Sequence, residues 1–519
     1  MSRIRFFNTS GPCNPVDHYM LPPEERLVGA QLHRYIRDEL YWVLHAPRQT
    51  GKTTFLLSWM REINATGNHV AFYVTVEACQ RVTDVNEAMR LISHNICIAA
   101  MQSDFPDPAP EKSISESLFT DTLRRLSELV APKPLVILFD EVDVLEGDVL
   151  IRFLRLLRGG YVTRGTGRFP VSVALVGMRD LKDYITASKD GVAPNPGSPF
   201  NIKEDSAMLT NFTKEGIIRL FAQRTTETGQ QITSEALDYV YEQSKGQPWI
   251  VNSLLKRATM RVLDETDTET VTVEHILKAR QQMIQARETH LDALAYRLEN
   301  PDVRYVMQAL MSGEPDPRLA DSEGFRLCLD LGLVTIEHGT PQVANPIYRE
   351  VLARQMTFSP QLAIPFPDWP WQLPDGNLDM DKLMKEFQKF WRRNADVWEQ
   401  KSDYSEAFPH LLLMAFLQRI LNGGGRIERE YAAGRGRMDL AVEYNGKWFV
   451  IEIKLIHDYE TPQTVEEEGL EQIKGYRDKI DAAAQSYLVI FDRRSKSLQL
   501  PWEERIYRRM VGDIIVLGC

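Results

Sequence analysis

Cysteine is scarce in this sequence, with 5 cysteines among 519 residues. They are scattered, with no C-x-x-C pair and no histidine at the spacing of a zinc ligand, as Cys13, Cys79, Cys97, Cys328 and Cys519. Disulfide scaffolds and structural zinc sites need such pairs. The pattern therefore excludes both and predicts a protein of a reducing compartment, the cytoplasm.

The chain also lacks a long apolar run and an excess of basic charge. No stretch approaches the roughly 20 consecutive apolar residues of a membrane span, and residues 1–20 are polar, unlike a signal segment. The formal net charge is −11 at pH 7, so no global basic field draws the chain to nucleic acid or to an anionic membrane. We therefore expect no membrane partner, and any contact with nucleic acid must be local.

The first chemical motif is a turn between an apolar strand, Tyr41 to Leu44, and a predicted helix. The turn reads A-P-R-Q-T-G-K-T-T, which is a P-loop with Ala46 in place of the first glycine. Its backbone N–H groups and the positive end of the helix cradle nucleotide phosphates, Lys52 reaches the β and γ oxygens, and Thr53 binds Mg²⁺. The predicted ATP-binding residues are Ala46, Pro47, Arg48, Gln49, Thr50, Gly51, Lys52, Thr53 and Thr54.

A second buried strand supplies the partner that a P-loop needs. Residues 135–141 read L-V-I-L-F-D-E, an apolar run that ends in two carboxylates. We expect Asp140 to hold Mg²⁺ through water and Glu141 to polarise the attacking water. A core strand with a solvated acidic end is the alternative. A further strand, Val171 to Gly177, ends near Arg179, which is placed to sense the γ-phosphate.

Two neighbouring segments bear on the same site. A helix is predicted from Glu24 to Glu39, and the Pro-containing arm before it is expected to cover the adenine. Arg152, Arg155 and Arg158 recur every three residues on a predicted helix. They are either arginine fingers across the interface of a homo-oligomer or a solvated face.

A different chemical pattern lies near the C-terminus, in a predicted hairpin whose turn is Asn445-Gly446. The hairpin register sets Asp439 opposite the end of the partner strand, where Glu452 and Lys454 share one face. Two carboxylates that hold Mg²⁺ or Mn²⁺ and a lysine that stabilises developing charge are what phosphodiester cleavage needs. Exposed charges alternating on an edge strand are the alternative.

The motifs of the N-terminal part resemble those of AAA-like, STAND-related ATPases. They are A-P-R-Q-T-G-K-T-T, L-F-D-E-V-D, V-G-M-R-D, S-P-F-N-I and G-Q-P-W. The resemblance implies a helical lid that contains the G-Q-P-W turn and a winged helix after it. The presumed recognition helix, residues 324–333, has Arg326 as its one base, so we interpret this module as a packing or relay element and not a DNA reader.

The C-terminal part resembles the PD-(D/E)XK nuclease superfamily. The predicted order is a helix, three strands, a helix and a closing strand from Tyr487 to Phe491, and the motifs are R-M-D, E-I-K and Q-I-K-G-Y. The resemblance implies that Asp439 and Glu452 hold the metal. The catalytic residues that it implies are Glu406, Asp439, Glu452, Lys454 and Gln472. A degenerate domain that only binds nucleic acid is the alternative.

Together the motifs predict a multidomain α/β protein, an ATPase and a Mg²⁺- or Mn²⁺-dependent phosphodiesterase in one chain. Its segments are an ASCE-type parallel-sheet P-loop core with an N-terminal arm (1–202), a helical lid (203–290), a winged-helix-like domain (291–357), a Pro/Trp-rich connector and helix (358–400) and a restriction-endonuclease-like α/β domain (401–519). No internal repeat interrupts this order.

The functional hypothesis is that ATP binding and hydrolysis regulate the chain's own nuclease, which acts on nucleic acid, DNA in preference to RNA. Such pairings resemble bacterial or archaeal genome-defence proteins, including antiviral ones, and mobile-element proteins. A trigger or partner protein of unknown identity is implied. The alternatives are a DNA-translocating or remodelling ATPase whose end domain only binds DNA, and an ATP-driven signalling scaffold.

Overall fold

The fold is that of a computed structural model of the chain. It describes residues 4–28, 32–110, 117–162, 164, 169–178, 203–264, 266–286, 289–311, 317–363, 371–399, 412–417, 425–429, 432–433, 436–437, 440–456, 460–480, 484–492, 494 and 501–519. The chain forms two compact units. The first comprises Met1–Glu288, Leu327–Thr335 and Ala344–Pro346, and the second comprises Thr289–Arg326, Ile336–Val343 and Ile347–Cys519.

A six-stranded sheet lies in the described part of the first unit. Its strands are β1 (Leu27–Val28), β2 (Tyr41–His45), β3 (Val70–Thr75), β4 (Leu135–Asp140), β5 (Ser172–Gly177) and β6 (Lys203–Leu209). The spatial order is β1-β6-β2-β5-β4-β3, and all pairs are parallel except β1 with β6. The predicted parallel sheet is confirmed, and one strand separates the P-loop strand from the strand that ends in Asp140.

Helices cover both faces of this sheet. They are α1 (Leu32–Arg37), α2 (Lys52–Thr66), α3 (Val85–Gln102), α4 (Leu118–Val130) and α5 (Gly147–Tyr161). One face packs around Phe119, Phe139 and Phe153, and the other around Trp42 and Phe55. Every residue of β4 is buried because both of its faces are covered, which explains its uninterrupted apolar run.

The helix predicted from Glu24 to Glu39 is wrong in its first half. The described chain there forms a 3₁₀ turn, Pro23–Arg26, and then the short strand β1. Leu27 pairs with Leu209 at the edge of the sheet. The backbone groups of this segment are therefore satisfied by the sheet and not by a helix of their own.

The segment predicted as a helical lid, residues 203–290, begins instead with strand β6 of the core sheet. Helices follow as α6 (Lys214–Thr228), α7 (Ser234–Ser244), α8 (Pro248–Arg257), a π-helical turn (Ala258–Val262) and α9 (Val273–Gln285), and we keep the name lid for them. The side chains of Thr213, Thr233 and Gln247 cap α6, α7 and α8 by accepting backbone hydrogen bonds. Gly246 has φ 73°, and a Cβ there would lie 1.9 Å from the carbonyl oxygen of Phe212. Only glycine fits at this turn.

The next segment contains α10 (Thr289–Arg297), α11 (Pro301–Met311), α12 (Glu323–Asp330), the hairpin strands β7 (Val334–Glu337) and β8 (Thr340–Val343), and α13 (Pro346–Ala363). The order of α11, α12, the hairpin and α13 is the one that the sequence predicts for a winged helix. The winged-helix assignment itself stays a prediction.

A second sheet lies in the C-terminal part. Its strands are β9 (Gly425–Arg429), β12 (Leu440–Tyr444), β13 (Lys447–Ile456), β14 (Gln485–Asp492), β15 (Arg508–Val511) and β16 (Ile514–Gly518), while β10 (Ala432–Ala433) and β11 (Gly436–Arg437) form a separate pair. The order is β15-β16-β14-β13-β12-β9. The hairpin of β12 and β13 confirms the predicted register, with Leu440 opposite Ile451.

The remaining helices are α14 (Met380–Glu399), α15 (412–417), α16 (Pro462–Ile480) and α17 (Trp502–Arg505). Phe387 and Trp391 of α14 pack in the same core as β13 and β14, so the helix assigned to the connector is part of this domain's core. The prediction ended with one closing strand and missed β15 and β16. Their signal is a Gly512-Asp513 turn before a run of buried apolar residues.

Candidate functional site

The P-loop runs between β2 and α2. Its left-handed backbone positions are Gln49, with φ 57°, and Gly51, with φ 90°. Ala46 is not one of them, and its N–H donates to the carbonyl oxygen of Gly177 at 3.2 Å. The loop needs no left-handed backbone at the first glycine position of the pattern, so alanine fits there without strain.

Lys52 is buried at the start of α2. Its Nζ donates to the carbonyl oxygens of Ala46 at 2.9 Å and Pro47 at 3.0 Å. Burial lowers the pKa of Lys52, and nearby carboxylates, first among them Asp143, act in the opposite direction. This ammonium group can exchange carbonyl partners for the stronger, charged oxygens of a phosphate.

Asp140, at the end of β4, is fully buried and holds two hydroxyl groups on one oxygen. Thr53 Oγ1 donates to its Oδ2 at 2.7 Å, and the Tyr73 hydroxyl donates to the same atom at 3.1 Å. The Thr53 hydroxyl and the Asp140 carboxylate are hard oxygen donors of the kind that Mg²⁺ prefers, so they fit the predicted ion. Tyr73 was missed, although it lies on β3, which pairs with β4.

Glu141 follows directly and has a left-handed backbone, with φ 61°. Its N–H donates to Asp140 Oδ1 at 3.0 Å. Burial raises the pKa of Glu141, and the charges of Asp143 and Asp140 raise it further. A carboxylate with a raised pKa is a better acceptor for a proton from water, which suits the predicted role.

A cavity of about 440 Å³ opens over the loop. The predicted residues that line it are Arg48, Gln49, Gly51, Lys52, Thr53, Thr54 and Glu141. Thr50 is buried, and its hydroxyl donates to the Pro47 carbonyl at 2.7 Å, which stabilises the loop from within. Arg179 lies outside the described residues.

The other walls of the cavity come from the N-terminal segment and from residues around the G-Q-P-W turn, two segments that the sequence analysis named without assigning these side chains to the site. They include Asn8, Thr9, Cys13, Tyr19, Arg26, Phe212, Pro248, Trp249 and Asn252. Trp249 Nε1 donates to the Thr9 carbonyl at 3.0 Å, and Gln247 Nε2 donates to the Gln49 carbonyl at 3.4 Å. The lid turn is thus bonded both to the arm and to the P-loop.

In the C-terminal domain, Glu452 and Lys454 lie on β13. The Glu452 side chain is 3% exposed, and its Oε1 lies 3.5 Å from Lys454 Nζ. β13 pairs with β12 on one side and β14 on the other, so it is a central strand. The alternative of charges alternating on an edge strand is therefore wrong, and a buried carboxylate needs another reason to be there.

Helix α16 passes over Lys454. A Cβ on Gly469 would lie 3.3 Å from Lys454 Cγ and 2.6 Å from a methyl carbon of Leu488, so the helix approaches the sheet closely there. Gln472 is exposed, one turn further along α16. Asp439 and Glu406 lie outside the described residues, and their predicted roles stay predictions.

Within the ranges that the structure describes, no group of three or more His, Cys, Asp or Glu side chains is arranged to hold a metal ion. Glu452 is the described member of the predicted metal-binding pair. Its buried carboxylate beside a lysine fits one half of a site for a hard cation. In the same ranges, no helix has the length and apolar character to cross a membrane.

The parallel sheet, the P-loop and the paired carboxylates define a P-loop ATPase. The chain belongs to the family described as AAA-like domain, whose model matches residues 33–354. Residues 404–492 match the model of the PD-(D/E)XK nuclease superfamily. The chain therefore joins an ATPase domain to a domain of the nuclease superfamily, and both domain classes indicate enzymatic activity. Both resemblances predicted from the sequence are confirmed.

The solved structures to which this chain is similar share little sequence with it. A Walker-type ATPase of Pyrococcus abyssi is 15% identical, covering 67% of this chain and 99% of its own, with a TM-score of 0.48. The ORC2 protein of Aeropyrum pernix is 13% identical, covering 64% and 92%, with a TM-score of 0.40. The Thermotoga maritima RuvB Holliday junction branch migration motor is 14% identical, covering 64% and 91%, with a TM-score of 0.33. No curated protein matches the chain in sequence.

Proposed function

We propose that ATP binding and hydrolysis in the AAA-like domain regulate a metal-dependent nuclease in the C-terminal domain of the same chain. The observation that carries this proposal is the presence of both chemistries: the Thr53–Asp140 contact beside a nucleotide-sized cavity, and the buried Glu452 carboxylate beside Lys454 on a central strand. The substrate we propose is nucleic acid, DNA in preference to RNA.

At the first site, Lys52 would bind the β- and γ-phosphates of ATP, and Thr53 and Asp140 would hold Mg²⁺. The ion supplies charge neutralisation on the phosphates when it is bound. Glu141 accepts the proton of the attacking water, for which its raised pKa is suited. Arg179 would sense the γ-phosphate.

At the second site, Asp439 and Glu452 would hold Mg²⁺ or Mn²⁺, which activates the nucleophile of phosphodiester cleavage when bound. The burial of Glu452 beside Lys454 supports this role, because a carboxylate inside a sheet core is stabilised by nearby positive charge, which a lysine and a metal ion both supply. Lys454 stabilises negative charge on the scissile phosphate. Glu406 and Gln472 would support the pair from the flanking helices.

The route of coupling that we propose begins at the lid. Gln247 caps α8 through its side-chain oxygen and binds the P-loop through its side-chain nitrogen, so a change in the loop on hydrolysis changes the start of that helix. In sequence the lid and the winged-helix-like segment lie between the two sites. They would transmit the change of nucleotide state to the nuclease domain, in a homo-oligomer or together with a trigger protein. The biological setting that we propose is the cytoplasm, in genome or antiviral defence or in mobile-element biology.

The test is a cleavage panel of plasmid, linear duplex, single-stranded DNA and RNA, with and without ATP, in Mg²⁺ or Mn²⁺. We expect metal-dependent cleavage of DNA whose rate changes with ATP. Absence of cleavage from every substrate, together with ATPase activity strongly stimulated by long duplex, would instead identify a translocating ATPase with a binding-only end domain.

A further inference from the structure

Arg26 stands apart from the other basic residues around the nucleotide cavity. It ends the 3₁₀ turn Pro23–Arg26 and lines the cavity together with the basic residues Arg48 and Lys52. Unlike those two it lies outside the P-loop. The cavity residues from the lid, such as Phe212 and Asn252, are uncharged, so the lid supplies no cation to the described wall.

The guanidinium of Arg26 is fixed by neutral groups. Its Nε donates to the carbonyl oxygen of Thr210 at 2.9 Å, its Nη2 donates to the carbonyl oxygen of Thr50, and it lies over the ring of Phe212 at 4.9 Å. No aspartate or glutamate within the described ranges pairs with it. Burial lowers the pKa of Arg26 to about 10, which still leaves the group charged at neutral pH.

The remaining nitrogen, Nη1, lies beside the P-loop, because a Cβ on Gly51 would be 3.4 Å from it. Gly51 precedes Lys52 and itself lines the cavity. A half-buried guanidinium without a counter-charge is costly, and an anion that arrives in the cavity removes this cost. A planar guanidinium with free N–H groups is suited to phosphate oxygens.

We propose that Arg26 is a further nucleotide-binding residue, which contacts a phosphate of the bound nucleotide from the N-terminal segment. This inference rests on the proposed ATP-binding function of the cavity. The same side chain holds the carbonyls of Thr50 in the P-loop and Thr210 at the end of β6, before the lid. Arg26 therefore joins the phosphate, the loop and the base of the lid through one rigid group.

The experiment measures the affinities of the full chain for ATP and for adenosine by calorimetry, in the wild type and in Arg26→Gln. The amide of glutamine keeps a donor for the carbonyls but has no charge. We expect ATP affinity to fall by about tenfold to a hundredfold, the usual worth of a hydrogen bond to a charged group. Adenosine affinity should not change, because adenosine has no phosphate. Arg26→Lys should restore part of the ATP affinity.

Arg219→Ala is the matched control, because it removes the exposed Arg219–Glu25 pair that ties the same segment to α6 without touching the cavity. It should bind ATP within about twofold of the wild type, as exposed pairs contribute little. Equal losses for ATP and adenosine in Arg26→Gln, or no loss for either, would overturn the inference. A wild type that binds no ATP would instead contradict the proposed function itself.

Discussion

The two candidate sites are built on different parts of a sheet. In the AAA-like domain the functional groups stand where strands end: Lys52 follows β2, and Asp140 closes β4. In the nuclease domain Glu452 and Lys454 belong to β13 itself and share a face. A site at strand ends depends on loop conformation, as the left-handed Gln49, Gly51 and Glu141 show. A site within a strand depends on register and on the helix that covers it.

Because the two sites lie in different domains, substitutions at the β13 site should abolish cleavage and leave ATP hydrolysis intact. Lys454→Ala should lower cleavage by about a hundredfold to a thousandfold, because the group proposed to stabilise negative charge on the scissile phosphate is lost. Asp439→Ala should do the same through metal binding. ATP turnover should stay at the wild-type rate in both, which a coupled phosphate-release assay measures.

Lys447→Ala is the matched control, since Lys447 begins the same strand and is exposed. It should cut at the wild-type rate. Full cleavage by both Lys454→Ala and Asp439→Ala would show that the nuclease residues are misassigned.

At the P-loop site, ATP binding and ATP hydrolysis should depend on different residues. Glu141→Gln should reduce ATP turnover by about a hundredfold to ten thousandfold, since it removes the proton acceptor while Asp140 remains. ATP affinity should be retained. Glu77→Gln, at another acidic residue of the cavity wall, serves as the control and should hydrolyse ATP normally. Unchanged turnover in Glu141→Gln would remove Glu141 from the mechanism.

A smaller effect is expected at Tyr73, whose hydroxyl orients Asp140. Tyr73→Phe should raise the Mg²⁺ concentration for half-maximal ATPase activity by about tenfold, the low end for loss of a partner of a metal ligand. Tyr41→Phe is the control, because Tyr41 lies on β2 and its buried hydroxyl donates to the carbonyl oxygen of Pro170 at 2.9 Å. This variant should leave the Mg²⁺ requirement unchanged. Equal Mg²⁺ titrations for the two variants would contradict the role of Tyr73.

The smallest effect is a shift in pH dependence. Burial and, after it, the charge of Asp143 raise the pKa of Glu141. The role proposed for Glu141 needs its carboxylate form. On acidification, ATPase activity should therefore begin to fall at a higher pH than it would with a glutamate of ordinary pKa. Asp143→Asn removes one of the raising charges and should move this acid limb to lower pH. A shift in the opposite direction in the kcat profile would exclude Glu141 as the titrating group.

Much of both sites could be predicted because their motifs are local. The P-loop, the two carboxylates at the end of β4 and the Glu452–Lys454 pair all follow from spacing and from the period of a strand. Tyr73 and Arg26 could not be found that way, because their roles depend on pairing across the sheet and on a segment remote from the P-loop in sequence. The false helix from Glu24 has the same cause, since pairing with β6 overrides local preference.

Gating of cleavage by the nucleotide state can be tested with two variants of the ATP site. Initial rates of plasmid cleavage are measured for Glu141→Gln, which retains ATP, and for Lys52→Ala, which cannot bind it tightly. We expect the two variants to change the cleavage rate in opposite directions, with the ATP-retaining form the more active nuclease. Equal rates that match the wild type, with and without ATP, would contradict it and show two independent enzymes in one chain.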